Sequence, residues 1–232
     1  MKNKTIVILI MLLQTTGFAQ INNKIKENYL GFHFDINQSR IYSEYNLDVL
    51  NSETNEEINV TGYHSGYSFG ISYKNFIEKY AGISLELNYI TKGGYNNFYY
   101  DTDIETADSI LILFKQELNY LEFPVYMNLR FGKKNGKFNA YAGPHVGYLL
   151  YQKLITLEDT NNRIYQTVVK NKFDFGLNIG FGYGYSFGNN SFEFLIKYSH
   201  SLSNIFEQQT INKAFLSQNQ VISASLYYYY KI

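Results

Sequence analysis

Eight ionisable side chains, His33, Asp35, Glu86, Glu122, Arg130, Asp174, Glu193 and Lys197, each stand between two large apolar neighbours. In a strand, successive side chains point to opposite faces. Each of these groups is therefore turned away from an apolar face and collected on the other side. Charges gathered inside a narrow enclosure are costly unless paired and hydrogen-bonded. The set predicts a salt-bridge network that plugs the enclosure, or else the lining of a gated pore or proton path. Glu122 and Arg130 share one stretch, Glu193 and Lys197 another, and Glu86 falls on the stretch expected beside Glu122. These are the pairings that the sequence suggests.

Three other patterns could carry chemistry. Ser199-His200-Ser201 offers a hydroxyl beside an imidazole. A nucleophile needs an adjacent base and an orienting group together. The H-x-S spacing of lipid A deacylases is absent, because Ser201 and Leu202 follow His200 directly. The favoured reading is a hydrogen-bonding histidine at a strand end. The loop Asp101–Asp108 is acidic but lacks the central glycine and the closing carboxylate of a calcium loop, with Ile112 at the twelfth position. Glu44, Asp48, Glu53, Glu56 and Glu57 make a second acidic stretch, read as solvated. There is no cysteine, which removes disulfides, thiolate metal sites and cysteine nucleophiles. No glycine-rich loop precedes a helix, so no phosphate cradle is expected. No catalytic residue, metal or cofactor is predicted.

The elements that must position these groups are strands. Phe173–Phe187 alternates without a slip: Phe173, Phe175, Leu177, Ile179, Phe181, Tyr183 and Tyr185 against Asp174, Gly176, Asn178, Gly180, Gly182, Gly184 and Ser186. Similar alternation marks residues 29–36, 65–74, 79–91, 116–131, 137–153, 191–199 and 220–232. In the last of these, Ile222, Ala224, Leu226, Tyr228 and Tyr230 are placed outward, although the run Tyr227–Tyr230 blurs the register. Pro124 and Pro144 fall inside strands and are expected at bulges or strand ends. Connections alternate in length. Residues 37–64, 92–115, 154–171 and 200–219 are long, and 75–78, 132–136 and 188–190 are short. Long loops on one rim and short turns on the other are the habit of outer-membrane barrels.

Composition agrees. Aromatic residues make up 18% of the chain, with 24 Tyr and no Trp, which suits girdles at two membrane interfaces. Net charge is zero, so nothing favours nucleic acid. Lys2 and Lys4, the apolar run Ile6–Leu13 and Gly17-Phe18-Ala19 read as an export signal cleaved after Ala19. No later run is long and apolar enough for a spanning helix. An exported chain without one can still cross a membrane as a closed barrel.

Tyr120-Leu121-Glu122-Phe123-Pro124, Ala142-Gly143-Pro144-His145-Val146-Gly147-Tyr148, the set Phe173, Asp174, Gly176, Gly180 and Gly182, and Leu202, Asn204 and Ile205 occur in that order. This order resembles the PorT-type outer-membrane β-barrel proteins of Bacteroidota. The family's pieces are Y-x-E-x-P, A-G-P-x-x-G-Y, F-D-x-G-x-x-x-G-x-G and R-Y-x-x-x-L-x-N-I. Lys197 stands where the last piece has Arg. The resemblance covers the second half of the chain most strongly and implies fold and location. The family's named member is linked to a secretion system exporting virulence proteins.

The expected fold is all-β: a closed eight-stranded antiparallel up-and-down transmembrane β-barrel with short periplasmic turns and long extracellular loops. Residues 1–19 are the signal peptide, 20–28 a short periplasmic segment and 29–232 the barrel. The expected function is non-enzymatic, structural or surface-interacting, carried by four long loops. Expected partners are outer-membrane lipid and lipopolysaccharide, with envelope or host proteins at the loops. The alternatives are a narrow channel or accessory barrel of a secretion system, and a soluble exported lipocalin-like binder with its large residues inward.

Overall fold

The computed structural model describes residues 24–43, 62–101, 109–132, 134–158, 171–205, 209–210, 213–214 and 217–232. The signal segment through Ala19, the acids of the first loop and the stretch after Asp101 as far as Asp108 lie outside the described residues. The alternating segments form β1 (Lys24–Ser43), β2 (Gly62–Glu78), β3 (Ala81–Asp101), β4 (Ser109–Phe131), β5 (Gly136–Glu158), β6 (Phe173–Phe187) and β7 (Asn190–Ser201), then two-residue β8 (Gln209–Thr210) and β9 (Lys213–Ala214), and finally β10 (Ser217–Lys231). Each long strand pairs antiparallel with its sequence neighbour, β10 following β7, and β1 pairs with β10 to close the barrel. Closure leaves no sheet edge unpaired in the wall, which a bilayer demands.

The faces follow the predicted alternation. Phe32, Ile36, Phe138 and Phe181 are each more than 60% exposed, although they are among the most apolar residues of the chain. Only lipid makes that arrangement favourable, with large groups outward and polar groups in the lumen. This overturns the soluble lipocalin-like alternative, which requires the large residues inside. The register of β10 is as expected: Ile222, Leu226 and Tyr230 are exposed, while Tyr227 and Tyr229 are buried in the lumen. On β5, Asn139, Tyr141 and His145 point inward and Phe138, Val146 and Tyr148 outward, again as expected.

The element boundaries differ from the sequence expectation. β1 starts at Lys24, not at Tyr29, and the first short turn is Lys79-Tyr80 instead of 75–78. β3, β4 and β5 run 21, 23 and 23 residues, about twice the roughly 9–11 needed to cross a bilayer. Much of what was read as long loop is strand continuing outward. The ladder continues there without apolar alternation because the surroundings are no longer lipid. The prolines also depart from expectation. Pro124 faces His145 and Pro144 faces Leu177 without a register change. Shifts in the β4–β5 ladder lie at Leu113/Phe114 and Asn119/Tyr120. At Pro124 the ladder skips to Met127↔Ala142 in unchanged register, so the missing donor opens the pairing without inserting a residue. Gly188 adopts φ 59° in the Gly188-Asn189 turn, the left-handed conformation that two-residue hairpins need.

Candidate functional site

The lumen holds the ionisable groups, stacked in levels from the end carrying both termini and the short turns to the opposite mouth. At the first rim, Arg130 Nη2 donates to Glu27 Oε2 at 2.5 Å and its Nε to the Lys79 carbonyl at 2.8 Å. Lys231 donates to the other Glu27 oxygen at 2.8 Å. One level in, Lys74 donates to Glu193 and to the Tyr141 hydroxyl, each at 2.5 Å, and lies 3.9 Å from the Tyr229 ring centre. Next, Lys197 donates to Asp35 at 2.9 Å and to Tyr227 at 2.7 Å. His33 stacks on Tyr227 with centroids 4.5 Å apart. Glu86 accepts from Asn88 Nδ2 at 3.2 Å.

Above these lies the densest cluster. The Lys92 ammonium bridges Glu122 and Asp174, the latter at 2.9 Å. His145 Nε2 is 3.4 Å from Glu122. Ser203 Oγ donates to Asp174 Oδ1 at 2.9 Å, and Asn219 Nδ2 donates to Asp174 Oδ2 at 3.3 Å. Every member of the ionic quartet is buried. Donor atoms of Glu122, His145 and Asp174 lie within 4.8 Å of one another, a set of oxygen and imidazole ligands that a divalent cation could use. Here the Lys92 ammonium holds the position between the two carboxylates and supplies the positive charge itself.

The strands make room for this cluster by glycine. A Cβ on Gly147 would sit 3.1 Å from Glu122 Cγ and 3.4 Å from Asp174 Cβ. One on Gly176 would sit 2.4 Å from His145 Cε1 and from the His200 carbonyl oxygen. The segment after β7 then folds over the cluster. Leu202 N–H donates to the Phe175 carbonyl at 2.6 Å, Ser217 N–H to Asn204 Oδ1 at 3.3 Å, and Ile205 N–H to the Ser217 carbonyl at 2.9 Å. Ile205 is thereby driven into the mouth, 2% exposed, against Ile41, Ile90, Leu118, Tyr120, Leu149 and Val221. An apolar seal caps the ionic levels, and Tyr126, Tyr141, Tyr227 and Tyr229 together with Leu195 fill the lumen below.

Of the eight predicted site residues, Asp35, Glu86, Glu122, Asp174, Glu193, Lys197, His33 and Arg130 are all buried. The partners differ from expectation. Glu122 pairs with Lys92, not Arg130, and Glu193 pairs with Lys74, not Lys197. Same-strand neighbours four or eight residues apart lie at different heights, whereas strands facing across the lumen present groups at one height. Lys74, Lys92 and Glu27 were missed. Lys74 continues the phase of Ser68 and Ser72, and Lys92 that of Glu86 and Asn88, so the signal was present once the strands were drawn longer. The Ser199-His200-Ser201 stretch is split by the pleat. Ser201 is buried in the lumen, while His200 stacks on outward-facing Tyr198 and meets Gln220 at 3.4 Å. No hydroxyl faces its imidazole from this stretch.

The model of the Outer membrane protein beta-barrel domain matches residues 18–207. No curated protein matches the chain. Among solved structures, OprG from Pseudomonas aeruginosa is similar at 14% identity over 92% of this chain and 99% of that one, with a TM-score of 0.46. Ail, the attachment invasion locus protein of Yersinia pestis, is similar at 12% over 89% and 99%, with a TM-score of 0.41. The outer membrane protease OmpT from Escherichia coli is similar at 10% over 91% and 97%, also at 0.41.

Proposed function

This chain belongs to the outer membrane protein beta-barrel domain family, and from that premise we propose a non-enzymatic, non-conducting barrel that displays its extracellular strand ends and loops. The observation that carries this reading is the stacked lumen. Three levels of buried ion pairs, a partly buried level at Glu27 and a layer of packed tyrosines lie under the apolar seal around Ile205. An eight-stranded barrel is just wide enough for side chains to fill it, and here they fill it with paired charge. Activity then belongs to the outside, where β3, β4 and β5 project beyond the membrane and hold the loops on a rigid base. Envelope or host proteins are the partners this surface would meet. Planar-bilayer recording of the purified, folded protein is expected to show no discrete conductance steps. Stable steps would favour the narrow channel instead.

A finer reading places the chain among the PorT-type barrels. It is supported by convergence: Tyr120 and Glu122, Gly147, Asp174, and Asn204 and Ile205, one group from each of the four pieces, all meet at the Lys92 cluster or the seal above it.

A further inference from the structure

The mouth that carries both termini holds a small cavity inside the wall. It measures about 20 Å³, room for about one water-sized group. Glycine opens it. Gly184 of β6 faces Lys137 of β5 in the ladder, and a Cβ on Gly184 would stand 2.8 Å from Glu193 Cγ and 3.1 Å from Asn139 Nδ2. Phe138 points outward and is 65% exposed, so its neighbours Lys137 and Asn139 turn into the mouth. Both line the cavity, with Arg130 and Ser191 beside them. The Lys74–Glu193 pair forms the inner end.

Positive charge and hydrogen-bond donors are in surplus here. Glu193 is taken by Lys74, and the two oxygens of Glu27 are taken by Arg130 and Lys231. Among the described residues, half-buried Lys137 has no carboxylate within ion-pair distance. The cations Lys74, Arg130, Lys137 and Lys231 thus exceed the carboxylates Glu27 and Glu193 by two charges. Ser191 is 5% exposed, and its Oγ accepts from Ser186 Oγ at 3.2 Å, which leaves its own O–H to donate. Arg130 has committed Nε to the Lys79 carbonyl and Nη2 to Glu27, the edge that would fork onto a planar carboxylate. The remaining donors come from three strands: Arg130 on β4, Lys137 on β5 and Ser191 on β7. Donors converging from separate strands suit a tetrahedral anion better than a planar one.

We propose that this cavity binds a phosphate group, either free or as the end of a monoester. One phosphate oxygen enters the cavity and accepts from Ser191, and the others meet Lys137 and Arg130 at the mouth. A cavity of this size takes an end group and leaves the body of its carrier outside. A guanidinium and an ammonium suit phosphate oxygens, and a surplus of two charges suits a dianion. Phosphate monoesters are mostly dianionic at about pH 7.5, their second pKa being about 6. The test titrates the folded full-length protein in non-ionic detergent into methyl phosphate at that pH, followed by phosphorus NMR, with acetate as competitor. Methyl phosphate is expected to bind about tenfold more tightly than acetate. Lys137→Gln should weaken methyl phosphate binding about tenfold, as loss of a charge-assisted hydrogen bond does. Lys137→Arg, which keeps the charge, should retain it, and Ser191→Ala should weaken it. Lys115→Gln, on β4 at the opposite mouth, should change nothing. Inorganic phosphate run in parallel separates the sources: tighter binding than methyl phosphate assigns the site to the free ion, and equal or weaker binding assigns it to the ester end group. No binding of either phosphate, equal affinity for acetate, or undiminished binding in Lys137→Gln overturns the site. Each variant is also run boiled and unboiled on a gel. Should Lys137→Gln lose the mobility shift, Ser191→Ala decides instead, and undiminished binding there overturns the site.

Discussion

Lys92 shows how much rests on single side chains in this lumen. Its ammonium is the shared cation of Glu122 and Asp174, and all three are buried. Removing one partner of a buried pair leaves uncompensated charge and costs about 3–5 kcal/mol. Lys92→Met is expected to lose about that much stability, measured by urea unfolding in lipid vesicles. Adding Glu122→Gln and Asp174→Asn should recover most of it, because a buried ionic cluster replaced by neutral groups is often near neutral in stability. No recovery in the triple variant would show that packing, not charge, dominates the cluster. At this scale the sequence was partly legible. The inward direction of Glu122 and Asp174 was set by apolar neighbours on both sides. Their partner was not, because Lys92 lies 30 and 82 residues away along the chain and only closure of the wall brings it across the lumen.

The informative elements are those that end differently from their pattern. The apolar alternation of β3 fades after Tyr89, yet its ladder with β4 continues to Asp101↔Ser109. Periodicity reports the lipid-facing stretch and is silent about strands that continue into water. The segment Leu202–Ile205 has no periodicity at all, and its role is visible only through its bonds to Phe175 and Ser217. Ile205→Ala is expected to cost about 2–5 kcal/mol, the range for truncating a fully buried aliphatic side chain. Asn204→Ala, which removes only the bond to the Ser217 amide, should cost about 1 kcal/mol. Thermal unfolding of both variants in one detergent checks the order. Equal losses would mean that the seal is held by the backbone clamp and not by the apolar plug.

The whole molecule is an inverted protein, with its buried charges inside a closed wall and large apolar side chains such as Phe32, Phe138 and Phe181 on the outside. Such a wall has no free edge, so local opening is resisted all round. The folded chain is expected to migrate differently on a gel before and after boiling. The form recovered from outer membrane should have a mass beginning at Gln20, after removal of the segment ending at Ala19. A single mobility, or a mass that retains Met1, would contradict the respective expectation. The sequence by itself determined the eight strands of the wall, their inward and outward faces, the sorting of turns and longer connections by rim, and the inversion. These depend on period-two alternation and turn residues, which are local along the chain. Only the tertiary structure decided which charges pair, how far β3, β4 and β5 project, and that Ile205 closes the mouth. Each of those depends on the height at which separate strands meet, and that height is fixed by the register of a closed barrel and not by any one segment.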